Sequence, residues 1–141
     1  MPTGRIKSLG EIALRVHDLD AMQAFYQNII GLELMRRFPN SAFFKIADGH
    51  AGHTQILALF DRRKEPGYAG LNAAHTTVDH IAFVIALEDF EAERKRLEGL
   101  GCQLKFATHE RVHWRSLYVR DPEGNNVELV CHDASVSEKG A

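Results

Sequence analysis

Three ionisable side chains lie in otherwise apolar segments of the sequence, where their chemistry is that of proton transfer or metal binding. Glu11 and His80 each begin a run that alternates like a β-strand, and Glu128 lies inside a third such run. Because successive strand residues face opposite sides, Glu11 shares a face with Ala13, and His80 shares a face with Ala82. These small neighbours leave space beside each polar group. A carboxylate is costly to bury alone, so Glu128 is either ion-paired or bound to a metal ion.

The segments that begin with Glu11 and His80 are two copies of one pattern. Residues 11–16 align with residues 80–85, and each copy continues into a helix-like stretch that opens with acidic residues and ends at glycine. Three strand-like runs follow each helix, so the order β-α-β-β-β is predicted twice. These runs are residues 32–38, 42–47 and 54–60 in the first copy, and 102–108, 116–120 and 126–132 in the second.

The repeat predicts the domain organisation. Residues 9–62 form the first βαβββ module and residues 78–133 form the second. Residues 63–77 contain proline and glycine and are interpreted as the linker, and residues 134–141 as a flexible tail. Modules this small must bury their apolar faces against each other or against a second subunit.

Composition excludes several classes of function. The 141 residues carry a net charge of −2, which argues against a nucleic-acid-binding surface. No apolar run approaches the ~18 residues that a membrane span needs. Two cysteines are too few for a disulfide framework, and the protein is expected to be cytoplasmic.

The paired modules resemble the vicinal oxygen chelate superfamily, which includes glyoxalase I, bleomycin-resistance proteins, fosfomycin-resistance thiol transferases and extradiol dioxygenases. The most specific match is the closing pattern Asp-Pro-x-Gly-Asn-x-x-Glu, which ends at Glu128. The resemblance implies an α+β protein whose two βαβββ modules form an incomplete barrel around one cavity. It also implies a small-molecule substrate and a homodimer. The other matching segments are residues 11–20, 25–26, 31–32 and 79–83.

The resemblance assigns metal-ligand positions to Glu11, His80 and Glu128. Some members of the superfamily add a fourth ligand from the last strand of the first module, and aligning residues 54–57 with the segment around Glu128 offers Gln55. A shift of two residues puts Leu57 there instead and leaves three ligands. In glyoxalase-like members a metal-site carboxylate also moves a proton, which Glu11 or Glu128 could do here.

Glu11 departs from the dioxygenases and fosfomycin enzymes, which usually carry histidine at this position. One histidine and two carboxylates form an oxygen-rich set, suited to Mn, Mg, Co, Ni, Zn or Fe(II) acting as a Lewis acid. Glu11 could instead form a salt bridge with Arg15. The favoured function is a divalent-metal-dependent lyase or isomerase that polarises a small oxygenated substrate. The alternatives are an extradiol-type Fe(II) dioxygenase and a metal-free protein that binds a small molecule such as an antibiotic.

The segment 108–116 is the second unusual feature, because it combines histidine, tryptophan and arginine. One interpretation is a solvated loop, and this is favoured for His109 and Arg111. The other places His113 and Arg115 at the mouth of the cavity, where they would bind an anionic or planar substrate. Tyr118 resembles a substrate-contacting tyrosine of the fosfomycin enzymes, although a core position is as consistent with the sequence.

Overall fold

The computed structural model describes residues 4–72 and 75–137, which fall in two compact units divided between Leu71 and Asn72. Positions 73–74 of the predicted linker and positions 138–141 of the predicted tail lie outside the described residues. None of the helices within these ranges is long and apolar enough to cross a membrane.

The first unit is a four-stranded sheet with one helix. Strands β1 and β4 are parallel, β3 and β2 continue the sheet in antiparallel fashion, and the strand order is β1-β4-β3-β2. The parallel pair is β1 and β4, and the long connection between them consists of the helix followed by β2 and β3. The elements are β1 (Glu11–Val16), α1 (Leu19–Ala24), β2 (Glu33–Phe38), β3 (Ser41–Asp48) and β4 (Thr54–Asp61).

Local side chains set the ends of the first helix. The carboxylate of Asp18 accepts a hydrogen bond from the backbone N–H of Ala21 at 3.0 Å, which caps the N-terminus of α1. A π-helical turn, Phe25–Ile30, extends α1 and ends at Gly31. Gly31 has a φ of 90°, a left-handed conformation that residues with a Cβ rarely adopt.

The second unit repeats this topology, with strand order β5-β8-β7-β6 and β5 parallel to β8. Each unit is therefore a β-α-β-β-β module, and the predicted α+β class is confirmed. The elements are β5 (His80–Val84), α2 (Phe90–Gly99), β6 (Lys105–His109), β7 (Trp114–Arg120) and β8 (Asn126–His132).

The two faces of the second sheet differ in character. Ile81, Phe83 and Leu129 are buried on one face, and the guanidinium carbon of Arg115 on this face lies 5.5 Å from the ring centre of Phe90 in α2. Helix α2 therefore covers this face. The alternate residues of the same strands, which include the ionisable groups of interest, face the other way.

Two strands of the second unit have bounds that differ from those predicted. Strand β6 begins at Lys105 instead of residue 102, because Gly101 takes a left-handed φ of 84° and the N–H of Cys102 still donates to Leu97 O at the helix end. Strand β7 begins at Trp114, two residues before the predicted start. Because β7 begins at Trp114, residues 114 and 115 also follow the strand alternation, which fixes the face to which each side chain points.

Candidate functional site

His80 begins β5 and is held from both sides of its ring. Its Nδ1 lies 2.7 Å from Oδ2 of Asp79, and its Nε2 lies 3.3 Å from Oε1 of Glu128. Because a carboxylate only accepts, the Asp79 contact places a proton on Nδ1. The Nε2 atom then faces a second carboxylate oxygen.

Glu128 is the buried anion of this unit. Its side chain is 6% exposed, although it lies in a strand whose neighbours are apolar. The register pairs Glu128 with Ala82 on β5 and with Tyr118 on β7, so all three share one face. Its Oε2 accepts a hydrogen bond from the hydroxyl of Ser116. The cost of burying this carboxylate is therefore offset by its contacts with His80 on β5 and Ser116 on β7.

His109 and Tyr118 complete the polar cluster. Nε2 of His109 lies 3.1 Å from the hydroxyl of Tyr118 and 3.7 Å from Oε2 of Glu128. In the register of β6 and β7, the pair formed by Ala107 and Ser116 lies between the positions of His109 and Tyr118. The small side chains of this pair leave room for His109 and Tyr118 to reach each other. Burial, and then the nearby negative charge of Glu128, raise the pKa of Tyr118.

The interpretation of His109 as a solvated loop residue is wrong. His109 is the last residue of β6 and is partly buried, with its ring 6.3 Å from that of Trp114 in an edge-to-face contact. The sequence gives little indication of this role, because His109 lies just beyond the end of the predicted strand. Its partner Tyr118 is brought close only by the pairing of β6 with β7. Tyr118 pairs with Glu128 in the register of β7 and β8 and therefore lies on the same face of the sheet.

His113 and Arg115 do not join the cluster. Arg115 alternates with Ser116, lies on the face covered by α2, and pairs with Asp133 at 2.8 Å. The Nδ1 atom of His113 contacts the backbone carbonyl of Val136, a buried residue of the C-terminal segment. Both residues hold parts of the second unit together, and a role for them in binding substrate with Tyr118 stays a prediction.

Glu11 is exposed at the start of β1, and in the described ranges no hydrogen bond or ion pair links it to Arg15. The register also bears on Gln55. Ala13 pairs with Ala58 in the first sheet, as Ala82 pairs with Glu128 in the second. Ala58, not Gln55, therefore occupies the position equivalent to Glu128, and the role of Gln55 as a ligand stays a prediction.

His80 and Glu128 fit a divalent cation, although they are only two ligands. With a proton on Nδ1 of His80, the lone pair of Nε2 faces Oε1 of Glu128 at 3.3 Å. Two electron-rich atoms this close require a shared cation or a second proton on the ring. The contact from Asp79 is the outer hydrogen bond that orients metal-binding histidines. Across residues 4–72 and 75–137, no three His, Cys, Asp or Glu side chains are arranged to hold a metal ion.

A family model matches residues 8–129 of the chain, and it describes the Glyoxalase/Bleomycin resistance protein/Dioxygenase superfamily. The chain belongs to this superfamily. The match spans both units and includes His80, His109, Tyr118 and Glu128. The resemblance inferred from the motif around Glu128 is thereby confirmed.

Similar proteins of the superfamily include metal-dependent enzymes. The chain is 31% identical over 125 residues to metallothiol transferase FosB from Staphylococcus epidermidis, covering 88% of this chain and 81% of the relative. It is 28% identical to fosfomycin resistance protein FosX from Listeria monocytogenes, solved with Mn(II) and sulfate, at a TM-score of 0.67 over 92% and 93% of the two chains. A lactoylglutathione lyase from Agrobacterium tumefaciens is also 28% identical, at a TM-score of 0.65 over 93% and 95%.

Proposed function

We propose that this protein is a divalent-metal-dependent enzyme of lyase or isomerase type, acting on a small oxygenated molecule, with His80 and Glu128 as ligands. The observation that carries the proposal is the approach of His80 Nε2 to Glu128 Oε1 while Asp79 holds the opposite ring nitrogen. Two relatives support the metal dependence, one by its name and one by the Mn(II) in its structure.

The bound cation would polarise a substrate oxygen and stabilise negative charge that develops there. His80 and Glu128 would hold it, and Asp79 would keep the His80 ring in the orientation that presents Nε2. The burial of Glu128 limits the competition of water for its oxygens. One imidazole and one carboxylate, completed by further oxygen ligands, would suit several metals, Mn(II) among them.

His109 and Tyr118 supply a path for a proton beside the ligands. The raised pKa of Tyr118 keeps its phenol protonated, so the hydroxyl can donate to an oxygen of the substrate. His109, 3.1 Å from that hydroxyl, can accept or return the proton. A reaction that moves a proton between neighbouring atoms of the substrate uses both groups, which favours lyase or isomerase chemistry.

Glu11 stays a predicted third ligand and base. The Glu11 carboxylate is exposed and has no ion pair within the described residues. No competing ion pair must therefore be broken before Glu11 binds a cation, which supports this role. Glu11→Gln is therefore expected to weaken Mn(II) binding while leaving the thermal stability of the protein unchanged. Equal Mn(II) affinity in Glu11→Gln and the parent would remove Glu11 from the ligand set.

Metal binding tests the proposal directly. The purified parent, His80→Ala and Glu128→Gln are compared by equilibrium dialysis against Mn(II), with His50→Ala as a matched control at an exposed histidine of the first unit. We expect the parent and His50→Ala to bind one ion per chain, and the two site variants to lose most of the bound metal. A parent that retains no divalent metal would instead favour a metal-free binding protein.

A second candidate, an Fe(II)-dependent dioxygenase, is suggested by the residue types around Glu128, although no three such side chains of the described residues are arranged as a ligand set. His80 and His109 both lie within 4 Å of the oxygens of Glu128, at 3.3 and 3.7 Å. Two imidazoles and one carboxylate are the ligand types of non-haem Fe(II) oxygenases. The protein loaded with Fe(II) under anaerobic conditions is therefore mixed with catechols in air. Oxygen uptake with ring cleavage would replace the lyase or isomerase assignment, and no uptake would remove this candidate.

A further inference from the structure

Ser116 is fully buried at the centre of the polar cluster, with 0% of its surface exposed. It lies in β7 opposite Val130 and two residues before Tyr118, so its side chain points to the face that carries Glu128. Its hydroxyl donates to Oε2 of Glu128. A hydroxyl is costly to bury unless its hydrogen bond is made, and here the acceptor is a carboxylate.

The two oxygens of Glu128 consequently have different surroundings. Oε1 lies 3.3 Å from Nε2 of His80, whereas Oε2 accepts from Ser116 and lies 3.7 Å from Nε2 of His109. Ser116 has one proton to donate, and in this structure that proton is directed to Oε2 of Glu128. The carboxylate therefore has little freedom to rotate and exchange its two oxygens.

We propose that Ser116 is a positioning residue that reserves Oε2 of Glu128 for hydrogen bonding and leaves Oε1 as the oxygen available to a cation. This inference rests on the proposed metal-dependent function. Its consequence is selectivity: a carboxylate with one available oxygen suits a small cation such as Mn(II). A carboxylate with both oxygens free can also serve as a two-oxygen ligand, which Ca²⁺ readily accepts.

The test measures the dissociation constants of Mn(II) and Ca²⁺ by calorimetry for the parent and three variants of the full chain. Ser116→Ala removes the donor, Ser116→Cys keeps the volume with a weak donor, and Ser116→Thr keeps the hydroxyl. Cys131→Ala is the matched control, because Cys131 is equally buried in the same sheet but faces α2. Thermal unfolding of each metal-free variant reports structural damage separately.

We expect Ser116→Ala to weaken Mn(II) binding by about 10- to 100-fold, the usual effect of removing an outer hydrogen bond from a metal ligand. Ca²⁺ affinity should fall less or rise, so that the preference for Mn(II) over Ca²⁺ drops. Ser116→Thr should retain the preference of the parent, and Ser116→Cys should be intermediate. Ser116→Cys decides the question if Ser116→Ala does not fold.

Several results would overturn the inference. Mn(II) and Ca²⁺ affinities that fall equally in Ser116→Ala, or that fall as much in Cys131→Ala, would show that Ser116 acts only through stability. Unchanged Mn(II) affinity in Ser116→Ala and Ser116→Cys would refute the inference alone. A parent chain that binds neither ion would refute the proposed function together with it, so the two failures are distinguishable.

Discussion

Replacing Asp79 with asparagine tests how firmly the His80 ring must be held. The hydrogen bond from Nδ1 of His80 to Asp79 is short, at 2.7 Å, and charge-assisted, but the Asp79 side chain is 94% exposed. Water competes for such an exposed carboxylate, so the interaction is worth only about 0.5–1 kcal/mol. At 1.4 kcal/mol per tenfold change in affinity, Asp79→Asn should weaken Mn(II) binding by about two- to fivefold.

The assay is calorimetric titration with Mn(II), and Asp89→Asn is its matched control. Asp89 is an exposed carboxylate of the same unit, so its replacement removes the same charge without touching His80. We expect Asp89→Asn to bind Mn(II) like the parent. A loss in Asp79→Asn that equals the loss in Asp89→Asn would show that only net charge matters. If Asp79→Asn lost more than about 50-fold in Mn(II) affinity, the hydrogen bond between His80 and Asp79 would be much stronger than the solvent exposure of Asp79 implies, and our reasoning would be refuted.

Three further predictions concern pH and packing. The pKa of Tyr118 is raised in the folded state, so its contribution to stability is present below the ordinary tyrosine pKa of about 10 and is lost as the pH rises above it. Urea denaturation between pH 8 and 11 should therefore show a steeper alkaline loss in the parent than in Tyr118→Phe. The hydrogen bonds from Arg63 lower the pKa of Asp61 from 3.8 to about 2. The ionised Asp61 therefore stabilises the fold at a pH above 3.8, and this stabilisation is lost as the pH falls from 3.8 towards 2. Asp61→Asn should be less stable than the parent at pH 6, with the difference vanishing near pH 2. Leu97→Ala removes a fully buried side chain of α2 and should cost about 2–5 kcal/mol in urea denaturation, whereas Leu100→Ala, at an exposed leucine, should cost far less.

Alternation within single strands made much of the site predictable. His80 and Glu128 were placed on the correct faces because each strand was recognised and the side-chain period of a strand is two. Asp18 and Gly31 marked the ends of the first helix because capping depends on nearby residues and on backbone conformation alone.

The structure differs from the prediction where a strand boundary is displaced. Strand β7 begins at Trp114, so the alternation that applies to Ser116 also reaches Arg115 and turns it towards α2. His109 was missed because it lies at the end of β6 and gains its meaning from Tyr118 on the neighbouring strand. The assignment of Gln55 as a ligand stays a prediction, and it rests on a linear alignment that contains no information on the pairing of Ala13 with Ala58.

The amino-acid sequence by itself determined the duplicated β-α-β-β-β order, the superfamily and the inward-facing character of Glu128, because these follow from periodicity and from a short local motif. Only the tertiary structure decided which side chains surround Glu128. The contacts of Ser116, His109 and His80 with that carboxylate come from three strands paired across a sheet. Strand register depends on hydrogen bonds between segments far apart in the chain, and a register shifted by one residue would turn each of these groups to the opposite face.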